Sequence, residues 1–294
     1  MLEHYSPLHQ GMGLHLQTRD ADTAGLRVLA MVHSSGSAAA EQMVLWPLCA
    51  QLQRLGQTVL VLDASQNETT KAPGLEQLLQ RSAWQAPMGL PSLTDSNGQL
   101  RSIATLPARQ GLLRLRSSAA ELGMNPLAAL QRYVRGYTTV LIYASAEALT
   151  PLLQDQHLQP LLVVPPDAEH LIDCYRQLKH LAVYAGAECT VAAMEAPANQ
   201  DGPPRYDWNR QQSSRRTDAE NSQIRLQRLN ALLQCSQRHL GDAPVLMRMR
   251  WRQVSDLHQL TLHMLKTACI LPLHEHSVQG MSTSPASASL AWSH

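Results

Sequence analysis

One β-α-β pattern near the start of the chain constrains the fold more than any other feature of the sequence. Residues 26–32 are a continuous apolar run, as in a strand that is buried on both faces. Small residues follow at 33–37, and a helical pattern then covers residues 38–55 and ends before Gly56. A second apolar run at 58–63 completes the unit, whose two strands are expected to be parallel.

The same alternation of strand and helix patterns continues as far as residue 268. The predicted strands cover 138–143, 161–164, 189–194 and 245–249, and the predicted helices cover 127–135, 167–185, 222–240 and 255–268. Strands that alternate with helices form a parallel sheet with helices on both faces. The predicted fold class is therefore α/β, with a doubly wound, mostly parallel sheet flanked by helices.

Composition divides the chain into three parts. Residues 1–24 are predicted to be a flexible N-terminal arm, residues 25–272 a single α/β domain, and residues 273–294 a disordered tail rich in Ser and Ala. Within the domain, residues 195–221 are predicted to form a polar loop. With 294 residues, 44% of them hydrophobic and 16% charged, the chain can bury one sizeable core.

Charge and cysteine usage exclude several classes of protein. The formal net charge of +1 lacks the basic excess of a dedicated nucleic-acid binder. The five cysteines are scattered and form no C-x-x-C pair, which favours reduced thiols over disulfides or a zinc site. No apolar run approaches the roughly 20 residues that span a bilayer, and the first residues lack a signal-peptide pattern. A cytoplasmic protein is expected.

The turn between the first strand and the first helix is where a sheet of this kind usually binds its ligand. A phosphate-binding turn needs glycines and a lysine. Residues 32–42 contain one glycine, Gly36, and Glu41 stands near the start of the helix, where its negative charge would repel phosphate. The chain has only three lysines, none of them in this turn: Lys71, Lys179 and Lys266.

Residues 26–63 nevertheless resemble the start of the MinD/ParA-type deviant-Walker ATPases, of P-loop NTPase fold, with the chemistry of the loop removed. Further matches follow in the same order up to residue 268. Leu106-Pro107-Ala108 resembles the family's mid-domain strand, and residues 137–142 resemble the strand that carries its Walker B acid. Residues 165–179 and 226–241 resemble helices of the flagellar-number regulators of the FlhG/FleN type within this family.

The departures from the family pattern all affect nucleotide chemistry, because Mg²⁺ and the attacking water are held by acids and the phosphates by lysines. Asp63 is kept as the first acid. At the other key positions the family's residue is replaced. Gly36 is found in place of the signature lysine, Glu41 in place of the phosphate lysine, Ser65 in place of the second acid, Tyr143 in place of the Walker B acid and Glu195 in place of the base-contacting Asn.

The resemblance therefore implies a pseudo-ATPase without catalytic residues or a metal site. Its degenerate nucleotide site would comprise Gly36, Ser37, Glu41, Gln42 and Asp63. No cofactor is expected, and ATP with Mg²⁺ would be present only if this site still binds it.

The function that the resemblance implies is a non-catalytic, MinD-like regulator of flagellar assembly, number or placement. Protein partners would include flagellar components such as a signal-recognition-type GTPase or switch proteins, with peripheral contact to the inner membrane and no nucleic acid. Two alternatives stay open: an atypical ATP-binding ATPase of the MinD/ParA type, and an accessory factor for polysaccharide secretion or cell-division positioning. The surface expected to meet an acidic partner includes Arg176, Lys179, Arg228 and Arg238.

Two short motifs have a structural interpretation beside a chemical one. His33-Ser34-Ser35 could supply a nucleophile, but it lacks the G-x-S-x-G elbow and is predicted to be a turn. His274-Glu275-His276 could bind a metal, but no third ligand is nearby in the sequence.

Overall fold

The computed structural model describes residues 25–80, 103–134, 136–165, 170–195, 223, 227–241, 243–250 and 253–272. The predicted arm, the predicted tail with its His-Glu-His motif, and residues 196–221 of the predicted loop lie outside these ranges.

Strands and helices alternate along most of the described chain. The elements are β1 (Gly25–Val32), α1 (Ala38–Arg54), β2 (Val59–Asp63), α2 (Leu75–Gln80), β3 (Ala104–Pro107), α3 (Arg109–Glu121), α4 (Pro126–Gln131), β4 (Thr139–Ala144), α5 (Ala146–Leu153), β5 (Leu161–Val164), α6 (Leu171–Ala185), β6 (Thr190–Met194), α7 (227–240), β7 (Val245–Met249), α8 (Val254–Lys266) and β8 (Cys269–Pro272).

The eight strands within the described ranges belong to one sheet, in which seven follow the order β3-β2-β4-β1-β5-β6-β7. Every neighbouring pair in that order is parallel, whereas β8 pairs antiparallel with the first half of β1. The predicted doubly wound, mostly parallel α/β sheet is confirmed. In this order β1 lies between β4 and β5, neither of which is the next strand in the chain. The turn after β1 therefore lies at the centre of the carboxyl edge of the sheet.

Side chains of β1 alternate between two separate apolar cores. Val28, Ala30 and Val32 join the core beneath the helices α3–α7. Leu29 and Met31 join the core on the opposite face, which α1 and α8 cover. Because β1 is buried on both faces, it has the continuous apolar sequence that predicted it.

The first helix ends where the sequence predicts. Gly56 has a φ of +78°, in the left-handed region that glycine adopts without a steric penalty. The N–H groups of Leu55 and Gly56 turn back to the carbonyls of Gln51 and Gln53, at 3.1 and 2.9 Å. These hydrogen bonds end α1, and the chain then turns towards β2.

One prediction about the secondary structure is wrong, and four elements were not predicted. The helix predicted over 127–135 ends at Gln131, because the Tyr133 N–H bonds to the Leu130 carbonyl at 3.0 Å in a tighter turn that leads the chain towards β4. The elements that were not predicted are the helices α2, α3 and α5 and the strand β8, which follows residue 268. The four residues of β8 are too few for a strand pattern, and only pairing with β1 identifies it.

None of the helices in the described ranges is both long enough and apolar enough to span a membrane.

Thiol chemistry offers a test of the packing. Burial raises the pKa of Cys49, Cys174 and Cys189 to about 12 each, so that only about one thiol in ten thousand is ionised at pH 8. Cys269 is also buried and its pKa is raised, whereas Cys235 is partly exposed.

We therefore expect a thiol reagent such as dithionitrobenzoate to label one of the five cysteines rapidly in the folded protein and all five in urea. Cys235→Ser should remove the rapid phase, and Cys189→Ser, the matched control, should leave it intact. Rapid labelling of a second thiol would show that the core is open at that residue.

Candidate functional site

The turn at 33–37 connects the end of β1 to the start of α1. It begins with the His33 N–H, which donates to the carbonyl of Ala144 on β4 at 2.7 Å. The Ser37 N–H then donates to the Ser34 carbonyl at 3.1 Å, and the Glu41 N–H donates to the Ser37 carbonyl at 2.9 Å as α1 starts. The predicted turn is thus tied to its neighbouring strand and leads directly into the helix.

The carboxylate of Glu41 fills this turn from the inside. The residue is 1% exposed. Oε1 accepts hydrogen bonds from the Ser34 N–H at 2.9 Å and from the Ser37 hydroxyl. Oε2 accepts from the Tyr143 hydroxyl at 2.5 Å and lies 3.1 Å from Nδ1 of His33. Four polar groups therefore converge on one buried carboxylate, which satisfies a group that would otherwise be costly to bury.

The pattern of contacts determines which nitrogen of His33 carries its hydrogen. Nδ1 lies 2.8 Å from the Tyr143 hydroxyl oxygen, as well as 3.1 Å from Oε2 of Glu41. Because Tyr143 donates its single hydrogen to Glu41, its oxygen can only accept from Nδ1. We assign the hydrogen to Nδ1 from this network. The rings of His33 and Tyr143 also meet edge to face, with centroids 4.9 Å apart.

Tyr143 stays a neutral donor in this environment. Burial raises its pKa most, and the hydrogen bond to Glu41 and the negative charges of Glu41 and Asp63 raise it further. Its position follows from the sheet order, because β4 lies between β1 and β2 and places Tyr143 opposite Met31 on one side and Asp63 on the other.

Both carboxylate oxygens of Asp63 are used by its own loop. Oδ1 accepts from the backbone N–H of Ser65 at 2.9 Å and from the Ser65 hydroxyl at 2.6 Å. Oδ2 accepts from Nε2 of Gln66 at 2.9 Å. This is the role of an aspartate that stabilises a turn.

The five residues predicted as a degenerate nucleotide site do not all meet. Gly36, Ser37 and Glu41 share the turn, whereas Gln42 is exposed on α1 and Asp63 lies at the end of β2. Gly36 is packed under His170, just before α6, since a Cβ at Gly36 would come within 2.9 Å of Nδ1 of that histidine.

Sequence reasoning missed the joint role of His33 and Tyr143. It treated the tyrosine as the replacement of a lost acid and the histidine as part of a turn. A usable signal was present, because a tyrosine in an otherwise apolar, buried strand needs a hydrogen-bond partner for its hydroxyl. Nothing in the sequence indicates that His170 lies over Gly36.

The side chains present do not suit a nucleotide with Mg²⁺. The Ser34 N–H, which could donate to a phosphate oxygen, donates to Glu41. A phosphate charge 4 Å from the Glu41 carboxylate would be repelled by about 4 kcal/mol at an effective dielectric constant of about 20. Magnesium prefers carboxylate oxygens, and those of Asp63 are engaged. Within the described ranges, no three His, Cys, Asp or Glu side chains are grouped as metal ligands would be.

The buried network makes a prediction about stability. Glu41→Gln should lower the free energy of unfolding by about 1–3 kcal/mol, because its amide NH₂ replaces an acceptor that faces donors. Tyr143→Phe should also destabilise, and the double variant should lose less than the sum of the two, since both changes affect one network. Urea titration measures all three.

The control for this series is Glu121→Gln at the exposed end of α3, which should change stability by no more than about 0.5 kcal/mol. Wild-type stability of Glu41→Gln would mean that the carboxylate does not hold the turn.

Comparisons with known proteins give the following. No protein-family model matches the sequence, and a search of curated protein sequences finds no match. Solved structures that the chain is similar to include the MinD cell division protein of Aquifex aeolicus, with 14% identity over 82% of this chain and 94% of that chain and a TM-score of 0.38.

The MinC:MinD complex of the same organism is found with 14% identity, 82% and 92% coverage and a TM-score of 0.39. A ParA family ATPase from Chlorobium tepidum TLS is found with 12% identity, 83% and 90% coverage and a TM-score of 0.42.

Proposed function

We propose that the chain is a non-catalytic, MinD-like regulator, a pseudo-ATPase that acts through protein contacts in flagellar assembly, number or placement. The observation that carries the proposal is the buried Glu41 carboxylate, which occupies the turn where a phosphate would bind. The flagellar assignment is supported by the resemblance of residues 165–179 and 226–241 to the flagellar-number regulators.

Phosphoryl transfer depends on positioning and on cations that stabilise the developing negative charge. The turn offers a buried anion instead. For a phosphate to enter, Glu41 would have to leave its position, and the buried Tyr143 and Ser37 hydroxyls would lose their acceptor. Each unpaired buried group costs about 1–3 kcal/mol, so displacement is disfavoured twice, by charge and by hydrogen bonding.

Protein contacts remain as the means of action, and the helices α6 and α7 present the expected basic side chains. Arg176, Lys179, Arg228 and Arg238 are all exposed. The opposite side of each helix is buried, at Cys174, Leu178 and Leu181 on α6 and at Leu229 and Leu232 on α7. The charged positions are therefore held outward by the packing of the apolar ones.

The first test of the proposal is nucleotide binding. Calorimetric titration of the full chain with millimolar ATP and Mg²⁺ should show no saturable heat, because the turn already contains its own anion. Thermal unfolding should be unchanged by ATP, since a ligand stabilises only a state to which it binds.

A dissociation constant in the low micromolar range, about 8 kcal/mol of binding, would contradict the proposal and favour an atypical ATPase. Thermal unfolding of the same preparation without nucleotide is the control, because it shows that the titrated chain is folded.

The second test concerns the basic helices. Reversing charge with Arg176→Glu and Arg228→Glu together should alter flagellar number or motility in cells, because an acidic partner would be repelled. The melting temperature should stay within about 2–4 °C of wild type, since exposed substitutions have small effects on stability.

Arg116→Glu, at an exposed arginine of α3, is the matched control and should behave as wild type. Normal motility of the double variant, combined with altered motility of Glu41→Gln, would place the function at the turn instead.

A further inference from the structure

A cavity of about 400 Å³ lies at the amino edge of the sheet, opposite the edge that holds the Glu41 turn. It is surrounded by the segments that lead into β5 and β6 and by the end of α8. Its lining is more polar than apolar and includes Gln156, His157, Gln159, Glu188, Lys266 and Thr267. Residues 186–188 also border a smaller cavity of about 230 Å³ between α6 and α7. Small-molecule ligands bind in clefts of about 300–1,000 Å³, so the larger cavity has room for one.

Two opposite charges line the larger cavity without pairing to each other. Glu188 is exposed just before β6, and Lys266 is exposed at the last residue of α8. The ion pairs between residues that the structure describes include neither of these side chains. A ligand in the cavity can therefore offer each charge a group of the opposite sign.

Gln159 positions the carboxylate of Glu188 and leaves acceptor capacity beside it. Nε2 of Gln159 donates to Oε2 of Glu188 at 2.8 Å. Oε1 of the same Gln159 amide is buried and has no hydrogen-bond partner among the described residues. A buried acceptor without a partner is costly, and a donor bound beside Glu188 would lower that cost.

Two other polar side chains of the lining are used within the fold. Oε1 of Gln156 accepts from the Cys269 thiol at 3.5 Å, and the Thr267 hydroxyl donates to the His263 carbonyl at 3.1 Å. His157 is exposed and forms no hydrogen bond with another described residue. The side chains that a ligand can engage are thus an ammonium, a carboxylate and an imidazole.

We propose that this cavity binds a small zwitterion of the amino-acid class, whose ammonium group meets Glu188 and whose carboxylate meets Lys266. A ligand with charge of one sign fits less well, because Glu188 would repel a phosphate and Lys266 would repel a diamine. Charge-assisted hydrogen bonds at both ends of the ligand would fix its orientation. The inference does not depend on the proposed function, since the cavity and the Glu41 turn lie at opposite edges of the sheet.

The affinity should be modest. Glu188 and Lys266 are both exposed, and ion pairs in contact with water contribute little because solvent screens them. A dissociation constant of about 0.1–1 mM is therefore expected for the amino acid that fits best.

The probes are the common amino acids, each titrated to about 10 mM against the full chain and followed by saturation-transfer NMR. For the one that binds best, two derivatives test the charges separately. The carboxamide lacks the carboxylate, the N-acetyl form lacks the ammonium, and each should bind at least about tenfold more weakly. Inorganic phosphate and putrescine, which carry charge of one sign, should not bind.

Two variants assign each charge of the ligand to a side chain. Lys266→Met should weaken binding of the amino acid by about tenfold but leave binding of its carboxamide unchanged, because both changes remove the same contact. Glu188→Gln should weaken binding of the amino acid in the same way but leave binding of the N-acetyl form unchanged. The matched controls, Lys71→Met after β2 and Glu121→Gln on α3, remove exposed charges elsewhere and should bind as wild type.

Four results would each overturn the inference. They are no binding of any amino acid at about 10 mM, derivatives that bind as tightly as the free amino acid, tighter binding of phosphate or putrescine, and wild-type binding by both cavity variants. The derivatives are tested on the unaltered chain, so they decide the matter even if a variant fails to fold.

Discussion

The hydrogen bond between the Tyr143 hydroxyl and the buried carboxylate of Glu41, at 2.5 Å, joins the end of β4 to the first turn of α1. The rest of the site depends on it. With Tyr143 as a donor, His33 is held by its Nδ1 hydrogen, and the remaining oxygen of Glu41 is free to accept from Ser34 and Ser37. Without this acceptor, several polar groups would be buried unpaired at the centre of the sheet's carboxyl edge. The turn is therefore a closed structural element that supplies its own anion.

The order of the strands makes this arrangement possible. Because β4 lies between β1 and β2, a side chain near its carboxyl end is adjacent to the turn after β1 and to the last residue of β2. In many α/β proteins this is where ligands bind, since loops from neighbouring strands converge there. Here the same convergence brings together Glu41, Tyr143 and His33, while Asp63 is used by the loop after β2.

The two edges of the sheet consequently differ in what they offer to another molecule. At the carboxyl edge, the polar groups of the first turn bond to each other. At the amino edge, the ends of α6 and α7 leave a cavity of about 230 Å³ whose lining is part polar and part apolar and includes the acid Glu188.

Local patterns in the sequence determined the α/β class, the first β-α-β unit, the end of α1 at Gly56 and the strand at 245–249, because each depends on residues close together in the chain. The sequence also showed that an acid, Glu41, is present at the position where a phosphate-binding turn would need a lysine. Only the tertiary structure decided what Glu41 does, since its partner Tyr143 lies 102 residues away. The pairing of β8 with β1 and the cavity between α6 and α7 likewise come from contacts between distant segments. Periodicity reports which side of an element is buried, but not which residue of another element it meets.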